Sequence, residues 1–133
     1  STPVTPLPQV WLAQYYARSD LEGEPVLVQE AGDLHFEWST ASPAEGIPAD
    51  YFSVRWAGEV WLPGGSYRYF LDVDDGARLW IDGQLVVDGW QGAVDQTFVG
   101  EVALAEGVHQ FLVEYFESEG EARIHLRGEP VSE

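Results

Sequence analysis

The strongest constraint on the fold of this chain is an alternation of apolar and polar side chains with a period of two residues. The alternation is clearest in residues 67–73, 111–115 and 121–127. It is typical of β-strands that bury one face, and no segment has the pattern of a long helix. Because turn signals separate these runs at short intervals, we predict about eight to ten short strands in an antiparallel sandwich or barrel.

Glycine-containing pairs mark where the chain reverses direction. Asp82-Gly83 lies between the apolar runs 79–81 and 85–87, which is the signal for a two-residue type I′ hairpin. Further turns are predicted at residues 63–65, 88–89 and 106–107. Within the strand patterns, Trp56, Trp61 and Trp80 are predicted to be core residues, and Arg78 is expected to form a structural ion pair.

Length and charge limit the kinds of protein that fit this sequence. A chain of 133 residues is the size of one domain. We interpret residues 1–8 as a Pro- and Thr-rich linker, residues 9–128 as a single β-sandwich domain and residues 129–133 as a loose tail. Six arginines against 23 acidic residues give 6 − 23 = −17, which argues against nucleic acid or anionic membranes as partners. No apolar run is long enough to insert into a membrane, and the absence of cysteine excludes thiolate chemistry.

Asp74-Asp75-Gly76, between two predicted strands, is the segment that most suggests chemistry. Adjacent carboxylates repel each other, and Ca²⁺, a hard cation that prefers oxygen ligands, would hold both. Successive side chains of an extended strand point to opposite faces, so a cis peptide bond would be needed to bring the two to one side. A solvated Asp-Asp-Gly turn without metal explains the same residues equally well. An EF-hand is excluded, because the glycine and the twelfth position are wrong for a loop starting at Asp72.

Four motifs occur in an order that resembles one known family. They are Tyr15-Tyr16, residues 46–56, residues 74–83 and residues 113–117. Together they are similar to the protective-antigen-type (PA14) domain, found in anthrax protective antigen, bacterial glycosidases and adhesins, and yeast flocculins. The resemblance covers about residues 10–128 and implies an all-β fold, an antiparallel two-sheet β-sandwich.

The resemblance also implies a set of ligands. In lectin members of the family, two aspartates joined by a cis peptide bind Ca²⁺, which in turn binds vicinal sugar hydroxyls. Those aspartates match Asp74 and Asp75, and Glu117 stands nearest to the next ligand position. The backbone carbonyls of Glu119 and Glu121 are then implied as further metal ligands.

An aromatic ring beside the ion would add apolar contact with a sugar. Trp90 is the candidate, because it is a large apolar residue in a predicted turn, and Asp88 would frame the same loop. A core tryptophan that closes the end of the sandwich is the alternative for Trp90.

These observations favour a non-catalytic, calcium-dependent, lectin-like module of a larger extracellular or cell-surface protein. Its expected partners are a glycan or cell-surface saccharide and other domains of the same chain. The alternative is a structural or protein-interaction module in which calcium is purely structural or absent. A glycosidase is less well supported, because pairs of carboxylates are inevitable in so acidic a chain and no catalytic motif occurs.

Overall fold

The computed structural model describes residues 7–32, 34–39, 41–43, 46–118 and 121–131. In these residues no helix is long and apolar enough to cross a membrane. The described residues form eight strands: β1 Trp11–Tyr16, β2 Leu27–Ala31, β3 His35–Ser39, β4 Phe52–Leu62, β5 Gly65–Ile81, β6 Gln84–Leu104, β7 Gly107–Glu117 and β8 Ala122–Pro130.

The strands form one antiparallel sheet that folds over on itself. Their order is β2-β1-β4-β7-β5-β8-β3, and β6 pairs along β5. The first half of β5, residues 67–74, pairs with β8, whereas residues 76–81 pair with β7. β5 therefore passes from one layer to the other between Asp74 and Gly76. This arrangement confirms the predicted all-β antiparallel fold, with two layers that are continuous through β5 and β6.

The two longest strands differ from the short strands that were expected. β5 has 17 residues and β6 has 21. The turn predicted at Asp88-Gly89 is wrong, because both residues lie within β6. Gly89 is instead a position of close approach, where an added Cβ would lie against the ring of Phe98.

The core lies between the layers and is rich in aromatic side chains. Trp56 is fully buried, as predicted, and stacks on Phe36 at 5.7 Å between ring centroids. The prediction for Trp61 is wrong, because this residue is 55% exposed. Trp61 is adjacent to the buried Leu62, so the alternation of the strand turns the tryptophan outward. Trp80 also faces outward, between two buried neighbours, and is only partly buried.

The hairpin between β5 and β6 confirms the predicted turn. Asp82 and Gly83 both have positive φ, 53° and 82°, as a type I′ turn requires. The Asp82 carboxylate accepts a hydrogen bond from the Gln110 backbone N–H at 2.8 Å and pairs with the ring of His109. The hairpin is thereby fixed to β7.

Candidate metal centre

Three acidic side chains meet where β5 changes layers. Asp74 and Asp75 are at the change, and Glu117 is the last residue of β7. Each of the three offers a carboxylate oxygen within 4.8 Å of those of the other two. Gly76 pairs with Phe116 in the β5–β7 ladder, which brings the end of β7 beside the two aspartates. The peptide bond between Asp74 and Asp75 is cis.

The cluster is buried although all of its members are acids. Asp74 is 6% exposed, Asp75 is 8% exposed and Glu117 is fully buried. Neither oxygen of Glu117 has a hydrogen-bond partner among the described residues. Buried polar atoms are almost always satisfied, so an orphaned carboxylate indicates a missing partner.

The electrostatics of Glu117 point in the same direction. Burial, followed by the proximity of Asp75, Asp74 and Asp50, raises the pKa of Glu117 to about 9. Without a counter-charge, Glu117 therefore holds a proton at neutral pH. A divalent cation would replace that proton, because metal binding deprotonates its ligands. The donor set, three carboxylates and nothing softer, suits a hard cation such as Ca²⁺.

Hydrogen bonds fix the aspartates from the side of β7. The Ser118 backbone N–H donates to Asp75 Oδ2 at 2.7 Å. The hydroxyl of Tyr115, whose ring is in the core, donates to the backbone carbonyl of Asp74. The carboxylate positions are therefore set by strand pairing and core packing as well as by the local loop.

Of the other predicted metal ligands, Glu119 lies outside the described residues. Glu121 is exposed, and its side chain does not belong to the group of three. The sequence prediction concerned the backbone carbonyls of these two residues, and it stays a prediction.

Trp90 is partly buried and packs against two neighbouring side chains. The Arg78 guanidinium lies 4.0 Å from the centroid of its ring, and the ring of Phe116 packs edge-on at 4.7 Å. Asp88 is exposed and accepts a hydrogen bond from the Trp90 backbone N–H at 3.4 Å. Sugar-binding roles for Trp90 and Asp88 stay predictions.

Arg78 has the structural role that was expected of it. Arg78 and Arg55 both pair with the buried Glu114, at 2.9 and 2.7 Å between nitrogen and oxygen. The two arginines compensate the charge of Glu114, whereas neither oxygen of Glu117 has a hydrogen-bond partner among the described residues.

The segment that leads into β4 also reaches the site, which was not predicted from the sequence. Asp50 acts on the charge of Glu117, and the Tyr51 backbone N–H donates to the Ser118 carbonyl at 2.9 Å. Both residues reach the site because Phe52 pairs with Glu117 across β4 and β7. No local sequence signal indicates this contact, since it depends on the pairing of two strands that are distant in the chain.

The chain is thus a two-layered β domain with an acidic, cation-compatible cluster where one strand changes layers. A sequence model of the PA14 domain matches residues 9–129. The chain therefore belongs to the PA14 domain family.

Relatives of this chain include anti-sigma factors. The anti-sigma-I factor RsgI3 of Acetivibrio thermocellus is 33% identical over 87 residues, which are 63% of this chain and 13% of that protein. An anti-sigma factor domain-containing protein from Clostridium clariflavum superposes with a TM-score of 0.84 and 30% identity over 92% of this chain, and the match covers 42% of that one. This chain thus spans less than half of the length of either relative.

A more distant solved structure shares the fold. The PA14 sugar-binding domain from an RTX adhesin has a TM-score of 0.67 at 18% identity, over 93% of this chain and 91% of its own. At that identity the likeness shows the fold alone.

Proposed function

We propose that this domain is a calcium-dependent carbohydrate-binding module. Asp74, Asp75 and Glu117 would hold one Ca²⁺ through their carboxylates, and two adjacent hydroxyls of a sugar would complete the coordination of the ion. The observation that carries the proposal is the fully buried Glu117, which has no hydrogen-bond partner in the described part of the chain and lies against two further acids.

The chemistry of the cluster supports coordination of a sugar through the ion. Three carboxylates supply a charge of −3 against +2, so the site is electrostatically satisfied. Because Ca²⁺ takes about six to eight oxygen ligands, three side chains and nearby carbonyls leave positions for water, which a vicinal diol replaces. The RTX adhesin domain, named as sugar-binding, is a precedent for this function on the same fold.

We further propose that the domain is non-catalytic and works outside the cell or at its surface. Millimolar calcium outside cells would fill a site of modest affinity. Weak binding at one site is compensated when several domains engage the same surface. The neighbouring domains of the same parent chain are therefore partners in the proposal.

The second candidate is a protein-interaction module on the same fold. Its support is the similarity, at 30% and 33% identity, to proteins that are named anti-sigma factors. In that case calcium would order the loops or be absent, and a saccharide would have no effect on the domain.

The test measures binding of the purified domain to an immobilised glycan array, once in buffer with about 1–5 mM CaCl₂ and once in buffer with excess chelator. We expect binding in calcium only, and its loss in Asp75→Asn, which keeps the size of the side chain but removes one ionic ligand. Calcium binding without binding to any glycan of the array would favour the protein-interaction module. Failure of the wild type to bind calcium would refute the proposal, and hydrolysis of a chromogenic glycoside would contradict its non-catalytic part.

A further inference from the structure

One exposed aromatic residue beside the metal centre has an unusual backbone conformation. Tyr51 is 50% exposed and has φ of 57°. In the described part of the chain, the other non-glycine residues with positive φ are Leu21 and Asp82. Aspartate tolerates this region well, whereas a bulky aromatic residue at positive φ is an outlier. Such outliers persist only where the surroundings impose them, and they cluster at binding sites.

The surroundings that impose the conformation are those of the metal centre. The Tyr51 N–H donates to the carbonyl of Ser118, and the N–H of Ser118 donates to Asp75 Oδ2, at 2.9 and 2.7 Å. The next residue, Phe52, is fully buried and pairs with Glu117. Tyr51 is therefore linked to Asp75 through two hydrogen bonds by way of Ser118. It also directly precedes Phe52, the residue that pairs with Glu117.

The same end of the domain has a second imposed backbone conformation. Leu21, with φ of 61°, donates its N–H to the hydroxyl of the buried Ser53 at 3.0 Å. The Ser53 hydroxyl in turn donates to the carbonyl of Arg18. The loop after β1 and the segment before β4 are therefore both fixed at the start of β4, close to the cluster.

Tyr51 offers what the partly buried Trp90 does not. A sugar ring packs on an aromatic ring through the apolar face formed by its C–H groups. Trp90 is partly buried and its ring contacts Arg78 and Phe116, whereas Tyr51 is 50% exposed.

We infer that Tyr51 is the aromatic platform of the saccharide site and that the saccharide is neutral. The inference rests on the proposed function, because it requires a sugar whose vicinal hydroxyls bind the ion. We expect a neutral saccharide because the surroundings of the site are negative. Three carboxylates and one Ca²⁺ leave a net charge of −1, and the exposed Asp50 is adjacent to Tyr51 in the chain. The whole chain carries a charge of −17. This field would repel uronic and sialic acids.

The experiment compares Tyr51→Asn with Tyr51→Phe in the calcium-loaded domain. Asparagine accepts positive φ, so Tyr51→Asn removes the ring without disturbing the backbone. The control is Trp61→Asn, because Trp61 is also an exposed aromatic residue, at 55%. Trp61 lies at the opposite end of β4 from Tyr51, where β4 pairs with the start of β7. Calcium affinity and saccharide affinity are measured separately by calorimetry and by NMR titration. The probes are methyl β-D-galactopyranoside, methyl α-D-mannopyranoside and galacturonic acid.

We expect Tyr51→Asn to weaken binding of at least one neutral glycoside about tenfold. Its melting temperature should be equal to or above that of the wild type, because the strained aromatic residue is gone. Calcium affinity should stay within about twofold in all three variants, and Tyr51→Phe and Trp61→Asn should bind the glycoside within about twofold of the wild type.

Three results would overturn the inference while leaving the proposed function intact. The first is unchanged glycoside binding by Tyr51→Asn. The second is loss of calcium binding by Tyr51→Asn, which would mean that Tyr51 supports the metal loop. The third is equal binding of galacturonic acid and the neutral probes by the wild type. If the calcium-loaded wild type bound none of the probes and no glycan of an array, the proposed function would fail and the inference with it.

Discussion

A single glutamate defines the chemistry of the cluster at the residue scale. An acid with two buried, unpartnered oxygens beside two aspartates is unfavourable unless a proton or a cation compensates. Glu114, which is also buried, illustrates the ordinary solution, since two arginines pair with it. No arginine occupies that role at Glu117 in the described residues. This contrast supports the proposed binding of a divalent cation at the cluster.

Glu117→Gln is the residue-scale prediction. The amide resembles the protonated acid that the metal-free site holds at neutral pH, because the pKa of Glu117 is raised to about 9. Stability without calcium should thus stay within about 1 kcal/mol of the wild type. Calcium affinity should fall at least about tenfold, because a charged ligand is lost.

Glu121→Gln is the matched control for this substitution. It removes the same charge from an exposed side chain that is not in the cluster, so calcium affinity should hardly change. Calcium titration of both variants, with chemical denaturation of the metal-free forms, gives the comparison. Equal losses of affinity would mean that the general acidity of the domain, and not the cluster, attracts the ion.

The residues of this site differ in how far they could be predicted from the sequence. Asp74 and Asp75 were accessible because two adjacent acids between apolar strands are a local signal. Glu117 came from the family resemblance, since nothing in its own neighbourhood separates it from the other acids near the end of β7. Asp50 and Tyr51 could not be found, because they reach the site through the pairing of Phe52 with Glu117.

At the scale of secondary-structure elements, the change of layers in β5 builds the site. Gly76 stands at this change, where an added Cβ would lie against the ring of Phe116 and 2.9 Å from the carbonyl oxygen of Gly89. A backbone oxygen cannot move away as a flexible side chain can. The close approach of three strands at this point therefore requires glycine.

Gly76→Ala is predicted to destabilise the domain by about 1–3 kcal/mol through overpacking. It should also weaken calcium binding, because the aspartates directly precede the disturbed residue. Gly32→Ala is the control, since the nearest atom to its added Cβ is 4.0 Å away. Urea unfolding of both variants checks the prediction, and wild-type stability of Gly76→Ala would show that the strands can separate at low cost.

The hairpin between β5 and β6 gives a prediction on pH. Both ring nitrogens of His109 face acceptors, the Asp82 carboxylate and the Ala105 carbonyl, so both must carry protons. The hydrogen bond that the His109 ring donates to Asp82 raises the pKa of His109, whereas the Gln110 N–H and then His109 lower the pKa of Asp82. The stabilisation is complete between the unfolded-state values of about 3.9 and 6.5. It is lost as the pH rises through the folded pKa of His109, or falls through that of Asp82.

Asp82→Asn tests this pair, because asparagine keeps the positive φ and an acceptor for the Gln110 N–H but removes the charge. We expect the variant to be less stable than the wild type at pH 5 and to approach it above the folded pKa of His109. An NMR titration of the His109 ring should show its pKa moving down in the variant. The same pKa in both proteins would show that Asp82 does not hold the proton.

The elements themselves were predicted where the alternation was strict. The Asp82-Gly83 hairpin follows from local backbone geometry alone and is correct. β6 was not anticipated as one strand, because Asp88-Gly89 has the composition of a turn. In the structure, Gly89 instead leaves room for the ring of Phe98, which an added Cβ would contact. Trp61 was misassigned because its register, and not its hydrophobicity, determines the face on which it lies.

At the scale of the whole molecule, core and site share the same strands. β4, β5 and β7 supply fully buried core residues, among them Trp56, Leu79 and Tyr115. β5 and β7 also end or bend at the acidic cluster, and Tyr115 joins the two through its bond to the Asp74 carbonyl. Binding of a cation there would therefore stabilise the folded domain as a whole by mass action.

The most direct test of calcium binding at the cluster is a crystal structure of the domain grown in millimolar CaCl₂. We expect density for one ion at about 2.3–2.6 Å from carboxylate oxygens of Asp74, Asp75 and Glu117. The anomalous signal of the peak should identify it as calcium. Three carboxylates without an ion at saturating calcium, or an ion bound only at other residues, would contradict this expectation.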